Sequence, residues 1–128
     1  MTPECSTLPI GRILVVDDAG DVRAILGEFL RALGFEVEEA SDGDAGLAAI
    51  LACPDFRAAL VDVTMPGLDG NELLKRIRIE SPGTKVILMS GYSEEEATDP
   101  GSLPPDTFLT KPFSLKQLES AVRRVLAA

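Results

Sequence analysis

The chain has 128 residues, of which 45% are hydrophobic, and a formal net charge of −9 at pH 7. This length suits one domain with a single core, and the acidic balance argues against a nucleic-acid or anionic-membrane surface, because both need clustered lysine and arginine. The sequence contains no histidine, which excludes Ser-His-Asp triads, the usual zinc sites and histidine bases.

The N-terminal stretch and the cysteines bear on localisation. Cys5 and Cys53 predict neither a disulfide framework nor a metal-binding pair, so a reducing compartment is expected. No apolar stretch approaches the roughly 18 to 20 residues that span a bilayer, and no secretion signal precedes the first strand. We therefore expect a cytoplasmic protein without membrane insertion, with a flexible tail at residues 1–9 and one domain at residues 10–128.

The first part of the chain predicts strand, helix, strand and helix. Arg12–Val16 is an aliphatic run typical of a strand covered on both faces, and Phe35–Ala40 predicts a second strand. Between them, apolar residues at steps of three and four predict an amphipathic helix closed by Gly34. Its stripe comprises Val22, Ile25, Leu26, Phe29, Leu30 and Leu33. A second helix, capped by Ser41 or Asp42 and stopped by Pro54, would carry Leu47, Ile50 and Leu51.

The second part continues the alternation. Strands are predicted by a run that ends at Asp62, by Lys85–Ser90 and by Thr107–Thr110. Asp69 is expected to cap a helix with Leu73, Leu74 and Ile77 inward, in which Glu72 can meet Arg76. A Ser114–Gln117 capping box predicts a last helix, with Leu115, Leu118, Val122 and Val125 or Leu126 buried. The proline-rich segment 91–106 predicts only one or two helical turns, around Ser93 to Thr98.

Strands that alternate with helices predict a parallel sheet with helices on both faces. All strands of such a sheet point their carboxyl ends to one edge, where ligands bind. The polar residues expected at that edge are Asp17, Asp18, Asp62, Ser90 and Lys111.

Three carboxylates and one lysine leave a negative charge that suits a divalent hard cation, and oxygen ligands favour Mg²⁺. The neutralised site could then admit a phosphoryl group beside Lys111 and Ser90. Asp62 becomes a candidate nucleophile, because carboxylates can form aspartyl phosphates. The alternative is a set of acids that only cap helix N-termini, as Asp18 and Asp69 could do singly.

These residues, in this order, closely resemble the receiver domain of two-component response regulators. The resemblance covers about residues 10 to 128. The segments that carry it are Val15–Asp18, the strand with Asp62, Met65–Gly70, Leu88–Gly91 and Phe108–Phe113. It implies a flavodoxin-like, doubly wound five-stranded parallel sheet of order 2-1-3-4-5 with helices on both faces, in which the proline-rich segment 91–106 makes the fourth helix short or irregular. It also implies phosphorelay signalling without turnover of an independent substrate.

The resemblance further implies roles for single residues. Asp62 would accept phosphate from a phosphohistidine of a sensor histidine kinase or a phosphotransfer protein. Asp17, Asp18, Asp62 and the Thr64 backbone carbonyl would arrange Mg²⁺. Lys111 would pair with the phosphoryl group, and the Lys111-Pro112 bond would be cis. Ser90 would swing toward the phosphate and Phe108 would turn inward behind it, although plain core packing explains Phe108 equally well.

Other features refine the resemblance or leave it open. Thr64 and Tyr92, which occupy the positions that tune phosphate lifetime in the family, predict a phosphoaspartate that is not especially short-lived. The proline-rich fourth-helix region departs from the family and leaves the downstream partner open. Met89-Ser90-Gly91-Tyr92 also resembles receivers of hybrid histidine kinases, so the chain fits a fragment of one or a stand-alone shuttle.

Two rival functions remain. Haloacid-dehalogenase-type phosphatases also use an aspartate nucleophile and Mg²⁺, but they need Asp-x-Asp after the first strand, and the second position here is Ala19. The other rival is a receiver-like interaction module that is never phosphorylated, which the altered fourth helix alone suggests.

Overall fold

The computed structural model describes residues 11–98 and 104–127. In that part of the chain, strands and helices alternate from end to end. The strands are β1 (Arg12–Val16), β2 (Glu36–Ala40), β3 (Ala58–Asp62), β4 (Lys85–Ser90) and β5 (Thr107–Thr110). The helices are α1 (Gly20–Ala32), α2 (Gly43–Ala52), α3 (Gly70–Glu80), α4 (Glu94–Ala97) and α5 (Leu115–Ala127). The expected tail at residues 1–9 lies outside the described residues.

The strands form one sheet in the order β2-β1-β3-β4-β5. Every neighbouring pair is parallel, which confirms the predicted doubly wound topology. The order of strands reverses between β1 and β3, so a crevice opens at their carboxyl ends. Residues at the ends of these two strands are therefore placed to form a site.

Apolar layers cover both faces of the sheet. The central strands β1 and β3 are buried along their whole length, as expected for strands packed on both sides. On one face Leu14 and Val61 pack with Leu73, and on the other Ile13 and Leu60 pack with Leu118. This packing makes the strand ends a rigid support for polar side chains.

Local signals set most of the helix ends. Gly34 follows α1 with a φ of +103°, a conformation that glycine adopts without strain. Asp42 and Asp69 accept hydrogen bonds from the backbone N–H groups of Ala45 and Glu72, at 2.7 and 2.9 Å. Ser114 and Gln117 form the predicted capping box.

The predicted helix interiors need correction at three apolar residues. Ile25, Leu51 and Leu115 are exposed, although each was expected to face the core. Consecutive residues on a helix lie about 100° apart, and in α1 Leu26 faces the core whereas Ile25 lies at the edge of the apolar stripe, where no neighbouring element of the described chain covers it. Ile25 and Leu115 instead line an open apolar groove between α1 and the start of α5.

Two predicted contacts also differ in the structure. Glu72 pairs with Lys75, and Arg76 pairs with Glu80, rather than Glu72 with Arg76. Cys53 is disulfide-bonded, so the expectation of no disulfide is wrong, and the cysteines no longer support a reducing compartment. The only other cysteine in the sequence, Cys5, lies outside the described residues.

The fourth helix is as short as the prolines predicted. It is a single turn, Glu94–Ala97, capped by the Ser93 side chain, and none of its residues is buried. Residues 99–103, in the rest of the proline-rich segment, lie outside the described part of the chain. Within residues 11–98 and 104–127, no helix combines the length and the apolar character that a bilayer crossing demands.

Candidate functional site

The predicted acids and the lysine meet at the carboxyl edge of the sheet. Carboxylate oxygens of Asp17, Asp18 and Asp62 lie within 4.8 Å of one another. Lys111 follows β5, and its Nζ lies 3.2 Å from Asp17 Oδ2 and 3.5 Å from Asp62 Oδ2. The Lys111-Pro112 peptide bond is cis, as expected. Four of the predicted site residues are thus brought together from three strand ends.

Asp17 is the most constrained of the three acids. Its side chain is fully buried, and its Oδ1 accepts a hydrogen bond from the Ala19 N–H at 2.9 Å. Its backbone carbonyl accepts one from Arg23 Nη1 at 2.7 Å. Asp18 is exposed at the rim of the site. The site therefore combines a fixed, buried carboxylate with one that faces solvent.

Asp62 ionises with more difficulty than an ordinary aspartate. Burial raises the pKa of its carboxyl, and the charge of Asp17 adds to that effect. The nearby Lys111 ammonium and a hydrogen bond from the Thr64 backbone N–H act in the opposite direction, but the net pKa shift is upward. The Lys111 charge therefore does not fully offset the effect of burial on the Asp62 carboxyl.

The donor set fits a hard divalent cation. Two unit charges about 4 Å apart repel by roughly 4 kcal/mol at an effective dielectric constant near 20. One ammonium cannot offset three such carboxylates, whereas a cation that takes oxygen ligands can. Thr64 lies in the exposed loop after β3, and its carbonyl remains a predicted ligand.

The predicted switch residues lie on β4 and β5. Ser90 ends β4 and is buried, and its Oγ accepts a hydrogen bond from the Tyr92 N–H at 3.0 Å. Ser90, Tyr92 and Thr64 line one cavity of about 380 Å³. Phe108 is partly buried and packs against the core layer that also contacts Ala97. Its ring therefore already has a place in the core, and its movement remains a prediction.

Two polar residues that sequence reasoning missed are tied to this region. Arg23, in the first turn of α1, contacts the Asp17 carbonyl. Asn71, in the first turn of α3, is buried and donates from Nδ2 to the Ala97 carbonyl at 2.7 Å, which attaches α3 to α4. The sequence signal for Arg23 was a basic residue five positions after Asp18. The signal for Asn71 was an amide beside the inward-facing leucines of α3.

Comparison with known proteins assigns these features to one family. Residues 13–123 match the family model of the response regulator receiver domain. The chain is 32% identical over 120 residues to sporulation initiation phosphotransferase F of Bacillus subtilis, covering 90% of this chain and 93% of that protein. It is 36% identical over 118 residues to the sensor kinase CckA of Brucella abortus, covering 89% of this chain and 12% of the kinase.

Solved structures show the same similarity. The response regulator protein TrrA from Thermotoga maritima, in complex with Mg(2+)-BeF, gives a TM-score of 0.81 at 32% identity, with 91% of this chain and 99% of that chain covered. Not all relatives are of similar length. The chain spans between 12% and 48% of seven other curated relatives that it matches.

Proposed function

The chain belongs to the receiver domains of two-component response regulators, which serve phosphorelay signalling, and from that premise we propose that Asp62 is its phosphoacceptor. The phosphoryl group would come from a phosphohistidine of a sensor histidine kinase or a phosphotransfer protein. The family as a whole acts with such partners, binds Mg²⁺ at its acidic pocket and does not generally turn over an independent substrate. The single observation that carries the proposal is the meeting of Asp62 with two further acids and Lys111.

The transfer needs little from the protein beyond position and charge. A carboxylate oxygen of Asp62 attacks phosphorus, the phosphorus–nitrogen bond breaks, and the electron pair stays on the imidazole nitrogen of the donor. Lys111, whose Nζ lies 3.5 Å from Asp62 Oδ2, pairs with a phosphoryl oxygen as charge develops. Since the donor brings the histidine, the absence of histidine in this chain is consistent with the role of acceptor.

Asp17, Asp18, Asp62 and the Thr64 carbonyl are the residues that would hold Mg²⁺. When bound there, the ion supplies the positive charge that the transferred group and the carboxylates require. The description of TrrA in complex with Mg(2+)-BeF supports this assignment. The charge balance of the site is consistent with it, because Lys111 is the one base that contacts the carboxylates of Asp17 and Asp62 among the described residues.

Phosphorylation would be read out through Ser90 and Phe108. The Ser90 hydroxyl turns toward the phosphoryl oxygens, and the Phe108 ring then moves inward behind it. The burial of Ser90 and the partial exposure of Phe108 leave room for such a coupled change. We also expect slow loss of the phosphate, because neither Thr64 nor Tyr92 is an acid or amide that would orient an attacking water.

Incubation with acetyl phosphate and Mg²⁺, followed by intact mass measurement, tests the proposal. We expect one added phosphoryl group, which is lost in Asp62→Asn and retained in Asp69→Asn. Asp69 is a matched control, because it lies in the same loop but caps α3, and asparagine caps helices equally well. No addition to the wild type would support an unphosphorylated module, and turnover of a small phosphomonoester would support the phosphatase reading.

A further inference from the structure

Arg23 connects the acid site to the neighbouring strand. Its Nη1 donates to the Asp17 carbonyl at 2.7 Å, and its Nε lies 3.5 Å from Glu39 Oε1. Glu39 in turn pairs with Arg31, whose Nη2 lies 3.0 Å from Glu39 Oε2. A chain of charged contacts thus runs from the backbone of Asp17 across α1 to β2.

We propose that Arg23 is a positioning residue for the metal site, acting through the backbone of Asp17. The inference rests on the proposed function, since it concerns the same carboxylates. Arg23 itself need not touch the ion or the phosphoryl group. Its role is to fix the peptide that joins Asp17 to Asp18, so that both carboxylates keep the directions that a cation requires.

The surroundings of Asp17 show why this peptide needs a support. The Asp17 N–H donates to the Ala40 carbonyl of β2 at 3.2 Å, and Oδ1 accepts from the Ala19 N–H. Asp17 lies between the end of β1 and the start of α1, and its carbonyl accepts the hydrogen bond from the guanidinium of Arg23. Removing that donor would release one of the three anchors of the turn that carries Asp18.

The surroundings of Glu39 also favour one fixed position of the Arg23 side chain. Arg31 holds Glu39 from the opposite side, so Glu39 can retain Arg23 in one rotamer. Gly27 leaves room for that carboxylate, because a Cβ at position 27 would lie 2.9 Å from Glu39 Oε2. A larger residue there would displace the Glu39 carboxylate.

Electrostatics alone predicts the opposite effect of Arg23 on metal binding. A guanidinium near the acids repels a cation, so its removal by charge alone would tighten Mg²⁺ binding. If Arg23 positions the carboxylates, its removal weakens binding, as is typical when outer-shell partners of metal ligands are lost. The sign of the change therefore separates the two effects.

Titration calorimetry of the phosphate-free protein with Mg²⁺ tests the inference. We expect Arg23→Met to weaken Mg²⁺ binding about tenfold. The matched control is Arg123→Met, which removes the same charge and an ion pair with Glu119 but no contact to Asp17, and it should stay within about twofold of the wild type. Arg23→Lys keeps the charge and one donor, and should recover part of the affinity. Urea unfolding of each variant establishes that it is folded.

The outcomes are distinguishable. Unchanged or tighter Mg²⁺ binding in folded Arg23→Met, beside a wild type that binds Mg²⁺, would overturn the inference and leave the proposed function intact. A wild type that binds no Mg²⁺ would overturn the metal site itself. If Arg23→Met does not fold, Arg23→Ala, which has a high helix propensity and no side-chain donor, carries the same expectation.

Discussion

Two clusters with the same numbers of acidic and basic side chains lie at opposite ends of the sheet. The carboxyl-end cluster comprises Asp17, Asp18, Asp62 and Lys111. The amino-end cluster comprises Arg12, Glu36, Glu38 and Asp55. Each contains three acids and one base, yet the buried charge has opposite sign. In the amino-end cluster the base is buried, whereas in the carboxyl-end cluster two of the acids are.

The sign of the charge that is buried decides what each cluster can do. The Arg12 side chain is 9% exposed, lies 4.1 Å from the centre of the Phe56 ring and meets acids that are 32% to 45% exposed. Water can solvate the excess negative charge there, so the cluster is satisfied and structural. At the other end the excess negative charge is buried with Asp17 and Asp62, where the proposed Mg²⁺ would compensate it. Under the proposed function, the same combination of charges thus serves stability at one edge and binding at the other.

Removing the buried base of the amino-end cluster should lower the stability of the protein strongly and independently of Mg²⁺. Arg12→Met should lower the free energy of unfolding by about 2 kcal/mol, because it removes three ion pairs and the ring contact of a buried guanidinium. The remaining acids can still reach water, which keeps the loss below that of a stranded buried charge. Urea unfolding measures the change, and Mg²⁺ affinity should stay within about twofold of the wild type.

Lys111→Met is the matched change at the other edge. It leaves Asp17 and Asp62 without their cation, so we expect a loss of stability that saturating Mg²⁺ largely restores. The cost of Arg12→Met should be equal with and without Mg²⁺. If Mg²⁺ rescued both variants to the same extent, the distinction between a structural and a binding cluster would fail.

Asp62→Asn should raise the free energy of unfolding, by less than Arg12→Met lowers it. The pKa of Asp62 is raised in the fold, so its ionised form is less favourable in the folded protein than in the unfolded chain. Replacing it with a neutral amide should therefore raise the free energy of unfolding at pH 7, without Mg²⁺, by on the order of 1 kcal/mol. Thermal unfolding in a chelator measures the gain.

The stability difference between the wild type and Asp62→Asn should depend on pH. Below the unfolded-state pKa of about 3.8, Asp62 is protonated in both states and the variant has no advantage. As pH rises through the higher pKa of the folded protein, the wild type loses stability relative to Asp62→Asn until the difference reaches a plateau. A variant that was less stable than the wild type at pH 7 in chelator would contradict the upward shift.

The sequence predicted the strand ends well because they depend on local patterns. Aliphatic runs that stop at Asp17 and Asp62 are visible in one dimension, and parallel pairing brings them together. Arg12 and Arg23 were missed because their roles depend on partners distant in the chain, such as Asp55 and Glu39. Ile25 was misplaced because a helical stripe does not show how much of it a neighbour covers.

The smallest effect on stability is expected when one exposed acid at each edge of the sheet is neutralised. Glu38→Gln removes an ion pair with a 3.4 Å separation while Glu36 and Asp55 still hold Arg12, so the free energy of unfolding should fall by no more than about 0.5 kcal/mol. Mg²⁺ affinity should not change. Asp18→Asn, at an equally exposed carboxylate of the other cluster, should weaken Mg²⁺ binding about tenfold while the protein remains folded. Calorimetry and urea unfolding of the two variants, made side by side, measure both quantities. Equal Mg²⁺ affinities in Glu38→Gln and Asp18→Asn would mean that an exposed acid at the carboxyl edge has no special role, since the two substitutions remove the same charge and differ only in the edge of the sheet at which they act.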